Sequence, residues 1–299
     1  MTHNNLKTTS RRLRRNTPPM LLFERAKKYG VWNPSDIDFS RDRDDWERLH
    51  NAERDILLRL TALFIAGEEA VALDLLPLVQ VIAREGRIEE EIFLSTFLWE
   101  EAKHVDFFSR VLEEVCDAPA ALGHYQSEGF RKIVYEALPQ SLNALHADPS
   151  PAAQVRASTV YNMVVEGMLA ETGYQGYFTI IEKRGILPGI RQGIGNLRLD
   201  ESRHIAYGVY LISRLMAENP DLWHIVESTM SELFTPGLGV ITDIFTHYEP
   251  IPFGITAETF AAYGAGQFQK RLDRIRRARI QTHDELDRET EGFIARGDG

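Results

Sequence analysis

Two stretches, WEEAKHVDFF at Trp99–Phe108 and LDESRHIAYG at Leu199–Gly208, decide how the rest of the chain is read. Each carries a glutamate and a histidine three residues apart, Glu101 with His104 and Glu201 with His204, within a helical pattern of apolar residues. At that spacing two side chains lie about 60° apart around a helix and about 4.5 Å along it, so a carboxylate and an imidazole reach one point from a single face. Phe97, Leu98, Phe107 and Phe108 bracket the first pair, and Ile205, Ala206 and Tyr207 follow the second. A charge on such a face is costly to bury unless a partner, such as a metal ion, meets it.

Spacing alone does not carry the reading, because nine histidines and 27 glutamates make roughly one Glu-x-x-His by chance in a chain of this size. A third pair, Glu47 with His50, lies in DRDDWERLHNAERD, where surrounding charge favours a solvated helix face. Order along the chain is more telling. Glu68 in LFIAGEEAVALDLL and Glu166 in YNMVVEGMLAE each interrupt an apolar helical run. Taken singly, Glu68 could be an exposed acid beside Glu69, and Glu166 a buried ion-pair member. Together with the two pairs they give Glu, ExxH, Glu, ExxH on four successive core helices, the arrangement by which helical bundles hold two iron or two manganese ions. Carboxylate and imidazole donors without thiolate suit those metals, although raw affinity favours zinc or copper. A carboxylate-rich site also favours oxygen chemistry over hydrolysis.

Outward from these motifs the pattern is helical throughout. Helices are expected over 44–85 with a kink at Pro77, over 88–115, and over 126–145 with a perturbation at Pro139. After the break at Asp148, Pro149, Ser150 and Pro151, further helices are expected over 152–183, 189–217, 221–247 and 256–285. No alternating strand pattern of useful length occurs, so the fold class is all-α: a ferritin-like four-helix core with additional peripheral helices. The expected organisation is a flexible basic arm at 1–20, one helical domain at 21–285 and a solvated tail at 286–299.

The 299 residues are 43% apolar, enough for a sizeable core, and the net charge of −10 offers no footprint for nucleic acid. One cysteine, Cys116, excludes an internal disulfide framework and fits a reducing, cytoplasmic location. Arg11, Arg12, Arg14 and Arg15 raise the question of a twin-arginine export signal, but Asn16, Thr17, Pro18 and Pro19 follow, without the apolar run such a signal needs. No apolar run is long enough for a membrane span.

At these motifs the sequence resembles the radical-generating small subunits of ribonucleotide reductase. WNPSDIDFSRDRDDW, from Trp32 to Trp46, looks like their tryptophan-bearing segment, and Asp200 matches the aspartate that orients a ligand histidine. The resemblance implies that Asp200 bonds His104, with Trp32 behind it. Phe108 stands where tyrosyl-radical subunits place their tyrosine, and no tyrosine follows Tyr263 to relay a radical through the tail; KRLDRIRRAR reads as a solvated helix instead. The closer resemblance, over nearly the whole chain and at AGEEAV and YNMVVEG, is to the reductase-small-subunit-like ligand-binding oxidases. It implies a manganese/iron cofactor, two irons being compatible with the same ligands. The manganese would sit at Glu68, Glu101 and His104 and the iron at Glu166, Glu201 and His204, with Glu101 bridging. It also implies a bound long-chain fatty acid, reaction with dioxygen, an ether link between Val71 and Tyr161, Tyr174 near the ligand cavity, and a homodimer. Two alternatives stay open: a manganese/iron reductase subunit, and a non-catalytic ferritin-like metal-binding protein.

Overall fold

The computed structural model describes residues 6–118, 121–279 and Glu285. The expected tail at 286–299 lies outside the described residues. Among those described the regular structure is helical, without a strand, and no helix is long and apolar enough to cross a membrane. We number the helices α1 (Pro18–Tyr29), α2 (Ser40–Arg48), α3 (Asn51–Asp74), α4 (Leu76–Arg84), α5 (Ile88–Arg110, continued by a π-turn at Val111–Val115), α6 (128–143), α7 (151–184), α8 (Pro188–Glu218), α9 (Trp223–Asp243) and α10 (Ala257–Ala278).

The single helix expected over 44–85 is three. Leu49 is extended, and His50 caps α3 through a reciprocal bond with Glu53, whose Oε2 accepts the His50 backbone N–H at 3.0 Å. Glu47 and His50 therefore stand on either side of a helix break, and no single helix face unites them. Pro77 opens α4, where a missing N–H costs least. Pro139 likewise begins an α-helical stretch, Leu138–Asn143, after a π-helical one at Arg131–Ala137.

The expected arm is held at two points. Arg11 grips Glu89 with both terminal guanidinium nitrogens, at 2.6 and 2.9 Å, and Met20 is buried.

Helices α3, α5, α7 and α8 form the central bundle; α1 packs across α5 and α8, while α9 and α10 cover α7. Two apolar clusters fill the interior, one around Phe93, Phe97, Tyr161 and Ile205, the other around Phe64, Phe107, Phe108 and Tyr177. Buried charged side chains of the four central helices line the bundle as well. Such groups cost several kcal/mol each unless compensated, so their presence in the core demands partners.

Candidate metal centre

Each central helix brings one part of the expected set. Glu68 comes from α3, Glu101 and His104 from α5, Glu166 from α7, Glu201 and His204 from α8, and all six are buried. Their donor atoms converge into two overlapping groups, Glu68–Glu101–His104–Glu201 and Glu101–Glu166–Glu201–His204, with the ligand atoms of each within 4.8 Å of one another. Glu101 and Glu201 belong to both groups.

The imidazoles are oriented alike. His104 Nδ1 faces Glu68, Glu101 and Glu201, each at 3.3 Å. His204 Nδ1 faces Glu101 at 3.3 Å, Glu201 at 3.5 Å and Glu166 at 3.6 Å. The outer nitrogens turn to acids of the opposite helix: His104 Nε2 donates to Asp200 at 3.3 Å, and His204 Nε2 to Glu100 at 2.9 Å. With the proton held on Nε2, each Nδ1 offers its lone pair inward.

The sequence reading names Asp200 but not its counterpart Glu100. The signal was present: EEAKH at 100–104 and DESRH at 200–204 share one pattern, acid–Glu–x–base–His. The leading acid of each serves the histidine of the other. The bases complete the exchange. Arg203 donates to Glu100 at 2.6 Å and to Asp200, while Lys103 bonds Asp200 at 3.1 Å and the Gly30 carbonyl at 2.6 Å. Trp32 Nε1 donates to Asp200 at 2.8 Å, and its ring stacks near His104, 6.3 Å between centroids. The outer layer thus balances two acids with two bases.

The inner layer does not balance without cations. Burial pushes Glu68 up to about 8 and Glu166 well above its usual range. Burial also opposes charge on Glu101, but the two imidazoles beside it outweigh burial and hold this carboxyl low. The two imidazoles, disfavoured as cations by burial, are raised well above their ordinary value by the surrounding carboxylates. Glu101 Oε2, Glu166 Oε1, Glu201 Oε2 and His204 Nδ1 are buried without a hydrogen-bond partner. Orphaned acceptors aimed at one space, and four carboxylates whose charge two divalent ions would neutralise, fit a dimetal site.

Tyr161 reaches the cluster through a change of helical register. Five α-helical residues would leave it about 140° from Glu166. The segment Thr159–Ala170 is π-helical, hydrogen-bonded i to i+5, so the two residues share a face. The Tyr161 hydroxyl lies 3.1 Å from Glu101 Oε1 and 3.1 Å from the Val71 carbonyl oxygen. Asn162 Nδ2 donates to Glu166 Oε2 at 2.9 Å.

A cavity of about 110 Å³ reaches the same cluster. Glu68, Val71, Glu166 and Glu201 line it, and apart from Thr172 the remaining side chains are apolar, among them Leu60, Phe64, Leu169, Ile241 and Phe260. Tyr174 does not line it. Its ring stacks behind Phe64 at 5.0 Å, with the phenol oxygen buried and unpartnered.

Residues 21–275 match the family described as ribonucleotide reductase, small chain. The chain belongs to this family. Within it, the chain is similar to solved structures of an R2-like ligand-binding oxidase. A Val-to-Leu variant of that oxidase with an aerobically reconstituted Mn/Fe cofactor is 39% identical, covering 92% of this chain and 99% of its own, with a TM-score of 0.88. A Tyr-to-Phe variant prepared the same way is 40% identical over 91% and 98%, with a TM-score of 0.86. A Val-to-Ala variant reconstituted anaerobically has the same identity, coverage and TM-score as the Tyr-to-Phe variant. The resemblance read from the motifs and the all-α, ferritin-like class both hold.

Proposed function

We propose that this chain is a dioxygen-activating oxidase whose manganese/iron centre is held by Glu68, Glu101, His104, Glu166, Glu201 and His204. The observation that carries the reading is the meeting of two features: six convergent donors, and an apolar cavity lined by three of their carboxylates. The Mn/Fe cofactor of the similar oxidase supports the choice of metals.

A long-chain fatty acid suits the cavity, because apolar walls accept the acyl chain while its carboxylate meets the metal ligands' end. Glu68, Glu101, His104, Glu166, Glu201 and His204 would hold redox-active ions whose chemistry with dioxygen would supply two oxidising equivalents. The protein's residues then direct them. Val71 projects into the cavity, and the Tyr161 phenol is pinned between the Val71 carbonyl and Glu101. Burial and the neighbouring carboxylates keep that phenol protonated. Glu101 Oε1 stands ready to take its proton. Ether formation joins Tyr161 Oη to Val71 Cβ, releases one hydrogen from each, and passes two electrons and two protons to dioxygen. The walls exclude water from the reacting atoms.

A homodimer belongs to this reading, and Leu73 and Leu76, 67% and 43% exposed, offer apolar surface for one. Light scattering tests it. The similarity to oxidases and the apolar cavity weigh against both a reductase subunit and a storage protein.

The test is peptide mass mapping of protein loaded with manganese and iron, kept anoxic or exposed to air. An oxygen-dependent species joining the Val71 and Tyr161 peptides, lighter by two hydrogens, is expected. Separate peptides in both samples would sink the proposed crosslink, and absence of dioxygen uptake would sink the oxidase.

A further inference from the structure

Helix α8 carries more than metal donors along its buried stripe. His204, Tyr207 and Tyr210 follow one another at three-residue spacing, each about 60° around the helix from the one before. Tyr207 is fully buried, and its hydroxyl donates to Glu90 Oε2 at 3.1 Å. Glu90, itself 3% exposed, is met by Arg214 at 3.4 Å and Arg87 at 3.6 Å. Such a pair exceeds what a core needs: phenylalanine and an aliphatic residue would fill the same volume without burying a carboxylate. Nothing in the metal centre uses it.

Aromatic rings connect the pair to the centre. Phe97 stacks on His204 at 3.6 Å between centroids and 9° between planes. Phe93 lies 6.1 Å from Phe97 and 5.2 Å from Tyr207. Tyr210 lies 6.5 Å beyond Tyr207 and is half-buried, so it opens toward solvent. Phe97 is also 5.8 Å from Tyr161, so one ring neighbours both the crosslinking tyrosine and this row.

We propose that Tyr207 and Tyr210 form a one-electron relay that drains oxidising equivalents from the metal centre to the surface, with Glu90 accepting the Tyr207 proton. The relay rests on the dimetal reading given above. Its function is to discharge the centre when no oxidisable group occupies the cavity, sparing Phe97 and Tyr161. In the first step Tyr207 gives one electron to a one-electron oxidant of the transition-metal-ion class at His204, and its phenolic proton crosses to Glu90 Oε2. A neutral tyrosyl radical remains and the oxidant is reduced by one electron. In the second, Tyr210 gives one electron to Tyr207, which recovers its proton from Glu90, while the Tyr210 proton leaves to water. The hole then sits at a half-buried tyrosine that external reductants can reach. Burial and the Glu90 charge keep the resting Tyr207 phenol neutral, so electron loss has to be accompanied by proton transfer along the existing hydrogen bond.

The test compares wild type with Tyr207→Phe, Tyr210→Phe and Glu90→Gln. Each is loaded with manganese and iron, cycled between reductant and air without fatty acid, and mapped by peptide mass for added oxygen. Freeze-quench electron paramagnetic resonance with ring-deuterated tyrosine gives a second readout. Wild type is expected to show a transient tyrosyl radical. Tyr207→Phe loses it and accumulates several-fold more oxidation on the Phe93–Phe97 peptide. Tyr210→Phe lengthens its lifetime and shifts oxidation onto the Tyr207 peptide, and Glu90→Gln lowers its yield. Bound metal, measured in every sample, excludes a folding defect as the cause. Wild-type dioxygen uptake with the same radical trace and oxidation map in all variants overturns the relay while leaving the oxidase intact. No oxygen-dependent change anywhere, wild type included, overturns both.

Discussion

Replacing Glu100 with glutamine removes one negative charge and keeps the side chain's length. Glu100 is fully buried and accepts from Arg203 at 2.6 Å and from His204 Nε2 at 2.9 Å, one bond on each oxygen. The amide offers one oxygen and one NH2, so it can serve only one of the two donors and confronts the other with a like group. Removing the partner of a ligand histidine costs about 10–100-fold in metal affinity, which is about 1.4–2.8 kcal/mol. The crossed geometry confines that loss. His104 Nε2 donates its outer bond to Asp200, not to Glu100, so the ion at His104 is expected to bind within a few-fold of wild type, while the ion at His204 weakens by the full factor. Anoxic titration with manganese and iron against a competing chelator, with bound metal counted per chain, reads both affinities. Asp200→Asn is expected to reverse the pattern, weakening the His104 ion more. Equal weakening of both ions in Glu100→Gln, or none in either, refutes the crossed assignment.

Other perturbations probe the packing around the centre. A Cβ at Gly193 would lie 1.9 Å from Phe107 Cε2, a fully buried ring, so Gly193→Ala is expected to destabilise by about 1–3 kcal/mol. Gly195 has nothing within 4 Å of that position, so Gly195→Ala gains up to about 1 kcal/mol from helix propensity; thermal melts in which both move alike would contradict the difference in packing. Gly176 lines the cavity, and a Cβ there makes only ordinary contacts, 3.6 Å to Leu60 and 3.9 Å to Phe260. Gly176→Leu should therefore fill the cavity, reducing fatty acid recovered by native mass spectrometry while metal content stays at two ions per chain. The hydrogen bond from Arg11 holds the Glu89 carboxyl down to about 2, from an ordinary value of 4.5. A lowered carboxylate pKa stabilises fully above the ordinary value and loses its contribution as pH falls through the folded one. The stability difference between wild type and Arg11→Ala is thus expected to be full at neutral pH and to shrink between 4.5 and about 2. Denaturant titrations showing a constant difference would count against the Arg11–Glu89 pair as its source.

Much of the site was legible because its parts are local. The spacings of Glu101 to His104 and of Glu201 to His204 define a helix face without reference to the rest of the chain, and the apolar rings beside them mark that face as buried. The breaks at Pro149 and Pro151 and at Pro250 and Pro252 separate helices for equally local reasons. Lone acids in apolar runs, Glu68 and Glu166, pointed inward on the same logic.

What needed the tertiary structure were the relations between helices that no helix carries in its own spacing, and one within a helix. That Glu100 serves His204 and Asp200 serves His104 depends on how α5 and α8 face each other, 100 residues apart in sequence. That Glu201 joins both ligand groups depends on where all four helices bring their side chains. Tyr161 and Glu166, on different faces of an ideal α-helix, share one only because the backbone between them adopts the i to i+5 register. The cavity has no sequence signature, since it is bounded by side chains from helices far apart in the chain and held open where they fail to fill the space. Local spacing sets which residues a helix can present together. Packing sets which helix receives them, and that information resides in long-range contacts.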